Sequence, residues 1–164
     1  MMTPDAIRSS IVIPALSRLG LYSPPAERLL LGTAAVESNF VNFIQFGGGP
    51  ARGMFQMEPP TFRDIMDRVL AGARHATLRA AVLATAAHQP AGFPELLTNH
   101  LFAAAMARAK YFSVGPAIPD RLDDQAQYWW TNYNGRSPHG LKPEDYIAAW
   151  HRYCAPLYPS SDIA

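Results

Sequence analysis

The sequence predicts a mainly α-helical protein with little or no β-sheet, folded as a single domain over residues 1–164. Alanine is abundant, and apolar residues recur at the three- and four-residue spacing of helices that bury one face. No convincing stretch alternates apolar and polar residues as a half-buried strand does. Eleven glycines and fifteen prolines divide the chain into short pieces. A chain of 164 residues, 49% of them hydrophobic, is long enough to bury one core.

The helices are predicted in chain order from these local signals. The first covers residues 4–19, and Pro14 is expected to kink or split it. The second covers residues 24–39, with Ser23 as its capping residue, and it is apolar nearly all round, which predicts a buried central helix. Residues 41–60 are expected to be irregular. Further helices are predicted at residues 61–71, 76–87, 95–112, 121–132 and 143–153.

The composition excludes several functional classes. A net charge of +1 provides no basic field for binding nucleic acid. The single cysteine, Cys154, rules out an internal disulfide, and the histidines lack His-x-x-x-His spacing, so no metal is expected. Apolar runs such as 101–107 are far shorter than the ~20 residues that cross a bilayer, so no transmembrane segment is expected. The N-terminus lacks the pattern of a conventional signal peptide, which predicts synthesis in the cytoplasm.

Glu37 is the first candidate for catalytic chemistry. On the second predicted helix it shares a face with Leu30, Thr33 and Ala34, so it ends an apolar face of a buried helix. Desolvation at such a position raises the pKa of a carboxyl group. A carboxyl group that keeps its proton near neutral pH is suited to general acid catalysis. The alternative is that Glu37 lies at a solvated helix end and has no catalytic role.

Three short motifs follow one another along the chain. Glu37 begins Glu-Ser-Asn-Phe, Gly53 begins Gly-Met-Phe-Gln-Met-Glu-Pro-Pro-Thr, and Tyr133 begins Tyr-Asn-Gly. Their order and spacing resemble the lysozyme-like lytic transglycosylase family, whose hallmarks are E-S-x-F, then G-L-M-Q-[IM]-x-P-x-T, then a Tyr-Asn-x-Gly element. The third motif lacks the residue that usually stands between Asn and Gly. Residues 119–153 also resemble phage-encoded proteins of this type.

The resemblance implies a lysozyme-like helical fold with a substrate groove, and peptidoglycan glycan strands as the substrate. Glu37 would be the catalytic acid, which protonates the glycosidic oxygen between N-acetylmuramic acid and N-acetylglucosamine and then acts as base. The 6-hydroxyl of the muramic acid would attack and give a 1,6-anhydro product, without metal or organic cofactor. Because this nucleophile is tethered, its effective concentration is high, and a second carboxylate is not needed to activate water.

The resemblance also assigns substrate-binding residues. The tyrosine hydroxyl at position 133 would lie near the carboxyl group of Glu37. The side chain at position 38 either forms a hydrogen bond near the acid or simply ends the helix. Gly53 would allow a close approach of the backbone to a sugar. Of the two adjacent tryptophans that precede the third motif, at least one is expected to be mainly structural. The implied substrate-binding set is Ser38, Gln56, Met57, Tyr133 and Asn134, and the tryptophans are Trp129 and Trp130.

Two other interpretations are left open by the sequence. A hydrolytic muramidase on the same fold would use a second carboxylate, for which Glu58 and Asp64 are the candidates. Glu58 also fits a solvated loop, and Asp64 fits the first turn of the next helix. A catalytically silent virion or assembly protein would keep the fold, with other phage proteins as partners. An active enzyme would reach the cell wall as part of a virion or by holin-type release.

Overall fold

The computed structural model describes residues 2–137 and 140–159, and in these residues the protein is mainly helical, as predicted. Within these ranges the strand-like pairing consists of two isolated bridges, Ile44 with Arg52 and Arg52 with Met57. The α-helices are α1 (Pro4–Ile7), α2 (Ile13–Arg18), α3 (Pro24–Ser38), α4 (Pro59–Asp64), α5 (Ala76–Leu83), α6 (Glu95–Thr98), α7 (His100–Phe112), α8 (Leu122–Asn132) and α9 (Pro143–Tyr153).

The first predicted helix runs on through residues 4–18 but contains a π-helical turn just before its proline. A π-helical turn, Arg8–Val12, separates α1 from α2, and Pro14 lies in the first turn of α2. The N–H of Ile13 donates to the carbonyl of Arg8, five residues earlier. Proline has no N–H for the ordinary helical bond, so the wider π turn forms where the ladder is interrupted.

Helix α3 is the buried central helix that the sequence predicts. Its N-terminus is capped by Ser23, whose hydroxyl accepts from the N–H of Ala26 at 3.2 Å. Helix α9 packs closely against α3 at Gly32. The Tyr146 hydroxyl of α9 lies so near that a Cβ on Gly32 would be 2.2 Å from it. The helix ends where Asn39 takes a left-handed conformation with φ of 51°. This packing leaves only the C-terminal end of α3 facing the groove described below.

The predicted helix over residues 95–112 is broken, which corrects the sequence-based expectation. Asn99 has φ of −112° and ψ of 90°, and it separates α6 from α7. Its side chain accepts from the N–H of Phe102 at 3.0 Å and donates to the Glu95 carboxylate at 2.8 Å. Asparagine is a favoured N-cap, so α7 begins afresh at this residue. No helix within the described ranges has the length and apolar character to cross a membrane.

Candidate active site

A groove of ≈ 700 Å³ is the candidate active site, and it joins parts of the chain that are distant in sequence. Helix α3 contributes Glu37 at its C-terminal end, and α7 contributes Lys110. The other walls are the loop that follows α3, the turn that precedes α4 with the first residues of α4 itself, and the segment that follows α8. These walls include Gln56, Met57, Glu58, Thr61, Tyr133 and Asn134.

Glu37 is partly buried at the C-terminal end of α3 and borders the groove. Burial raises the pKa of its carboxyl group to about 7. Two interactions lower the pKa of Glu37. One is a hydrogen bond of 3.0 Å from Trp129 Nε1 to Glu37 Oε1, and the other is the charge of Lys110. The carboxyl group can therefore exist with or without its proton near neutral pH, as a general acid and base requires.

Lys110 is the cation of this site. Its Nζ donates to the backbone carbonyl of Tyr133 at 2.6 Å and lies 3.9 Å from the centre of the Tyr133 ring. Burial lowers the pKa of Lys110 to about 8, while the charges of Glu37 and Glu58 favour its protonated form. The amine therefore keeps most of its charge at neutral pH and stabilises a negative charge on Glu37.

Tyr133 lies in the same groove as Glu37, but its hydroxyl donates to the carbonyl of Phe55 at 2.9 Å. The contact joins the segment after α8 to the turn before α4. Burial raises the pKa of Tyr133 well above the usual tyrosine value, and the charge of Glu37 raises it further. The charge of Glu37 therefore acts on the Tyr133 side chain, while the Tyr133 hydroxyl donates its hydrogen bond to the backbone.

Gln56, Met57 and Asn134 line the groove. Gln56 adopts a left-handed backbone conformation, with φ of 44°. Its side-chain Nε2 donates to the carbonyls of Asn42 and Gly53, at 2.9 Å each. The Gln56 side chain therefore joins the turn before α4 to the loop that follows α3, and it also lines the groove.

Two of the expected roles change in the structure. Ser38 is 1% exposed and is not part of the groove lining. Its hydroxyl donates to the carbonyl of Ala34 and accepts from the N–H of Phe40, so it ends the helix. Gly53 approaches the protein's own backbone rather than a sugar, because a Cβ at this position would lie 2.3 Å from the carbonyl oxygen of Leu96.

The two candidates for a second carboxylate are separated by the fold. Glu58 is exposed and lines the groove. Asp64 lies outside the groove and pairs on the surface with Arg68, 2.9 Å away and one helical turn later. Across residues 2–137 and 140–159, no cluster of three or more His, Cys, Asp and Glu side chains is arranged to hold a metal ion.

Sequence reasoning did not identify Lys110 or the contact of Trp129 with the acid. Lys110 had a local signal, whereas the contact of Trp129 with Glu37 joins residues 92 positions apart. Lys110 continues the buried stripe of Phe102 and Met106 at four-residue spacing, so a charge on that stripe is unusual. Trp129 lies in α8, four residues before Tyr133, which follows the helix, and it is fully buried, as expected of a structural tryptophan.

Comparisons with protein-family models, with curated proteins and with solved structures found no match to this chain. The functional assignment therefore depends on the geometry of the groove and on the motifs that line it.

Proposed function

We propose that the protein is a lytic transglycosylase that cleaves the bond between N-acetylmuramic acid and N-acetylglucosamine in peptidoglycan, with Glu37 as its single catalytic acid and base. The observation that carries this proposal is the Glu37 carboxyl group, whose pKa is raised to about 7 beside an open groove lined by several side-chain amides. A lysozyme-like arrangement of the helices around that groove is part of the proposal.

The reaction needs one proton and one carboxyl group. Protonated Glu37 gives its proton to the glycosidic oxygen, and the bond from that oxygen to C1 of the muramic acid breaks. The oxygen of the 6-hydroxyl forms a bond to the same C1, and the hydroxyl proton passes to Glu37. The acid is regenerated, water is not consumed, and the product carries a 1,6-anhydro ring.

The neighbours of Glu37 support this cycle. The Trp129 N–H donates a hydrogen bond to Oε1 of Glu37. The other oxygen of the carboxyl group, Oε2, can therefore carry the proton that is given to the substrate. Lys110 and Trp129 both favour the carboxylate that is left after proton transfer, while burial favours the acid. These opposed effects leave the acid strong enough to give up its proton and basic enough to take one back.

The groove also suits a glycan in its size and polarity. Its volume, ≈ 700 Å³, falls within the ~300–1,000 Å³ of typical ligand pockets. Side-chain amides, which can both donate and accept hydrogen bonds, match the hydroxyl and N-acetyl groups of aminosugars. The amides that line the groove belong to Asn42, Gln45, Gln56, Asn132 and Asn134.

The test is muropeptide analysis by mass spectrometry after the protein digests peptidoglycan. The wild-type protein should release products with anhydro ends. Glu37→Gln keeps the shape and removes the acid, so we expect a loss of rate at least on the order of a hundredfold. Glu144→Gln is the matched control, because it makes the same chemical change on an exposed residue of α9. Equal rates for these two variants would contradict the proposal.

A hydrolytic muramidase is the second candidate, because Glu58 lines the same groove. In that mechanism Glu58 would assist the attack of water, and the products would carry hydrated reducing ends. We expect Glu58→Gln to retain much of the activity and the anhydro product. A Glu58→Gln protein as inactive as Glu37→Gln, with hydrated products from the wild type, would identify a muramidase. No products from wild-type protein would favour a silent virion or assembly protein.

A further inference from the structure

One large apolar side chain stands entirely in solvent at the rim of the groove. Phe46 is 101% exposed, and it lines the same cavity as Glu37. It is the most exposed large hydrophobic residue in the described ranges; the next, Ile44, is 53% exposed. Folding gains nothing from a phenyl ring in water, and a ring this exposed on the lining of the groove is available to contact a bound ligand.

Phe46 lies in a loop of residues 43–53, which we call the 43–53 loop. Hydrogen bonds within this loop fix its backbone. At its base the N–H of Gly53 donates to the carbonyl of Phe43 at 2.8 Å. Near its tip Gln45 bonds to Ala51 twice, by its backbone N–H at 3.3 Å and through its side-chain oxygen at 3.1 Å. The loop is thus braced by its own hydrogen bonds, and the Phe46 side chain contributes no packing to it.

The surroundings of Phe46 select the chemistry of its ligand. The groove side chains nearest to it along the chain, Asn42 and Gln45, are amides. A pyranose ring has an apolar face of C–H groups and an edge of hydroxyl groups, so it fits an aromatic face flanked by amides. A lipid or a protein partner would instead require a contiguous apolar surface across the groove.

We propose that Phe46 forms a glycan subsite at the mouth of the groove, in which the face of its phenyl ring stacks on the C–H face of a pyranose ring. The inference rests on the proposed function, because the strand that contacts Phe46 would be the strand that is cleaved at Glu37. Phe46 would then act in substrate binding and leave the chemical step unchanged.

The test of this subsite is the affinity of the protein for a soluble tetrasaccharide, measured by calorimetry. The tetrasaccharide alternates N-acetylglucosamine and N-acetylmuramic acid. The Glu37→Gln protein serves as the background, so that the sugar is not cleaved. Adding Phe46→Ala should weaken binding on the order of tenfold, and Phe46→Tyr should restore most of it. Ile44→Ala, an apolar truncation in the same loop outside the groove lining, should leave the affinity unchanged. The thermal unfolding midpoint of the Glu37→Gln protein should be the same with and without Phe46→Ala, since the Phe46 side chain packs against nothing.

The outcomes distinguish this inference from the proposed function. Equal affinity with and without Phe46→Ala would overturn the subsite and leave the proposed function standing. No binding of the tetrasaccharide to the Glu37→Gln protein would overturn both. Unchanged sugar affinity, combined with loss of binding to phosphatidylglycerol vesicles or loss of self-association in Phe46→Ala, would assign the ring to a lipid or to a second copy and would overturn the subsite.

Discussion

At the scale of single residues, two glutamates on α3 show how surroundings determine chemistry. Burial acts to raise the pKa of Glu27, but hydrogen bonds from Tyr158, Arg8 and Tyr22 outweigh it, and the pKa is lowered. At Glu37 burial prevails over one hydrogen bond and one nearby cation, and the pKa rises to about 7. Glu27 is therefore a structural anion, and Glu37 is a group that can exchange a proton.

The raised pKa of Glu37 predicts a stability change that does not depend on any activity. The unfolded state releases this proton near the ordinary value of 4.5, while the folded state holds it to about 7. Wild-type stability should therefore fall as the pH rises from about 4.5 to 7, relative to Glu37→Gln, which cannot ionise. Above pH 7 we expect Glu37→Gln to be more stable by up to about 3 kcal/mol. Urea unfolding at several pH values measures the difference.

Glu144→Gln is the control for this measurement, because its carboxyl group is exposed. Its stability relative to wild type should change little across the same pH range. Parallel curves for wild type and Glu37→Gln would show that the carboxyl group at position 37 is not held in its protonated form by the fold.

At the scale of elements, the turn over residues 53–57 builds one wall of the groove. The backbone of Arg52 and Met57 is paired in both directions, by hydrogen bonds of 2.9 and 3.1 Å. Gly53 takes φ of 79°, which favours glycine. The carbonyl of Phe55, inside the turn, accepts the hydroxyl of Tyr133. The turn thus places Gln56 and Met57 in the groove and connects them to the segment after α8.

Gly53→Ala should disrupt this turn. The added Cβ would lie 2.3 Å from the carbonyl oxygen of Leu96, in a left-handed conformation that alanine disfavours. We expect a loss in the free energy of unfolding of about 3 kcal/mol or more. Gly48→Ala isolates the backbone contribution, since Gly48 has φ of 77° and no atom near its Cβ position. That variant should lose only about 1 kcal/mol. Equal losses, measured by urea unfolding, would show that the contact with Leu96 is unimportant.

At the scale of the whole molecule, Glu27 ties the N-terminal helices to the C-terminal segment. It accepts from Arg8 Nε at 2.6 Å, from the Tyr22 hydroxyl at 2.9 Å and from the Tyr158 hydroxyl at 2.6 Å. The Tyr158 ring also stacks on Trp150 of α9, with the ring centres 5.4 Å apart. Helix α3 therefore carries a structural carboxylate near its N-terminus and the candidate acid near its C-terminus.

Removing the charge of Glu27 should weaken the whole fold. Glu27→Gln keeps the shape but leaves Arg8 and two hydroxyl donors with a weaker acceptor, so we expect a loss of about 2–4 kcal/mol at neutral pH. The folded pKa of Glu27 is lowered, so its stabilisation is present above the ordinary carboxyl pKa and is lost as the pH falls through the folded value. The unfolding curves of wild type and variant should converge in acid.

Tyr22→Phe provides the comparison, since Tyr22 is an exposed donor and only one of the three. It should lose less stability than Glu27→Gln in the same urea titration. A Glu27→Gln protein as stable as wild type at neutral pH would show that this network is dispensable.

The sequence by itself determined the helical class, the cap of α3 at Ser23 and the irregularity near Pro14. It also predicted the burial around Glu37, because the apolar face of a helix is set by residues three and four positions apart. These features depend on neighbours in the chain, so local patterns were sufficient to predict them. The break at Asn99 was also a local signal, but the apolar pattern on both sides of it predicted a continuous helix.

Only the tertiary structure decided which side chains meet Glu37. Trp129, which donates to Glu37, lies 92 residues away in the chain, and the carbonyl that accepts the Tyr133 hydroxyl lies 78 residues before it. The same packing directs Ser38 inward and places Gly53 against Leu96 instead of a sugar. Contacts across such separations depend on how the helices pack against one another. No spacing within a single helix or turn could reveal them.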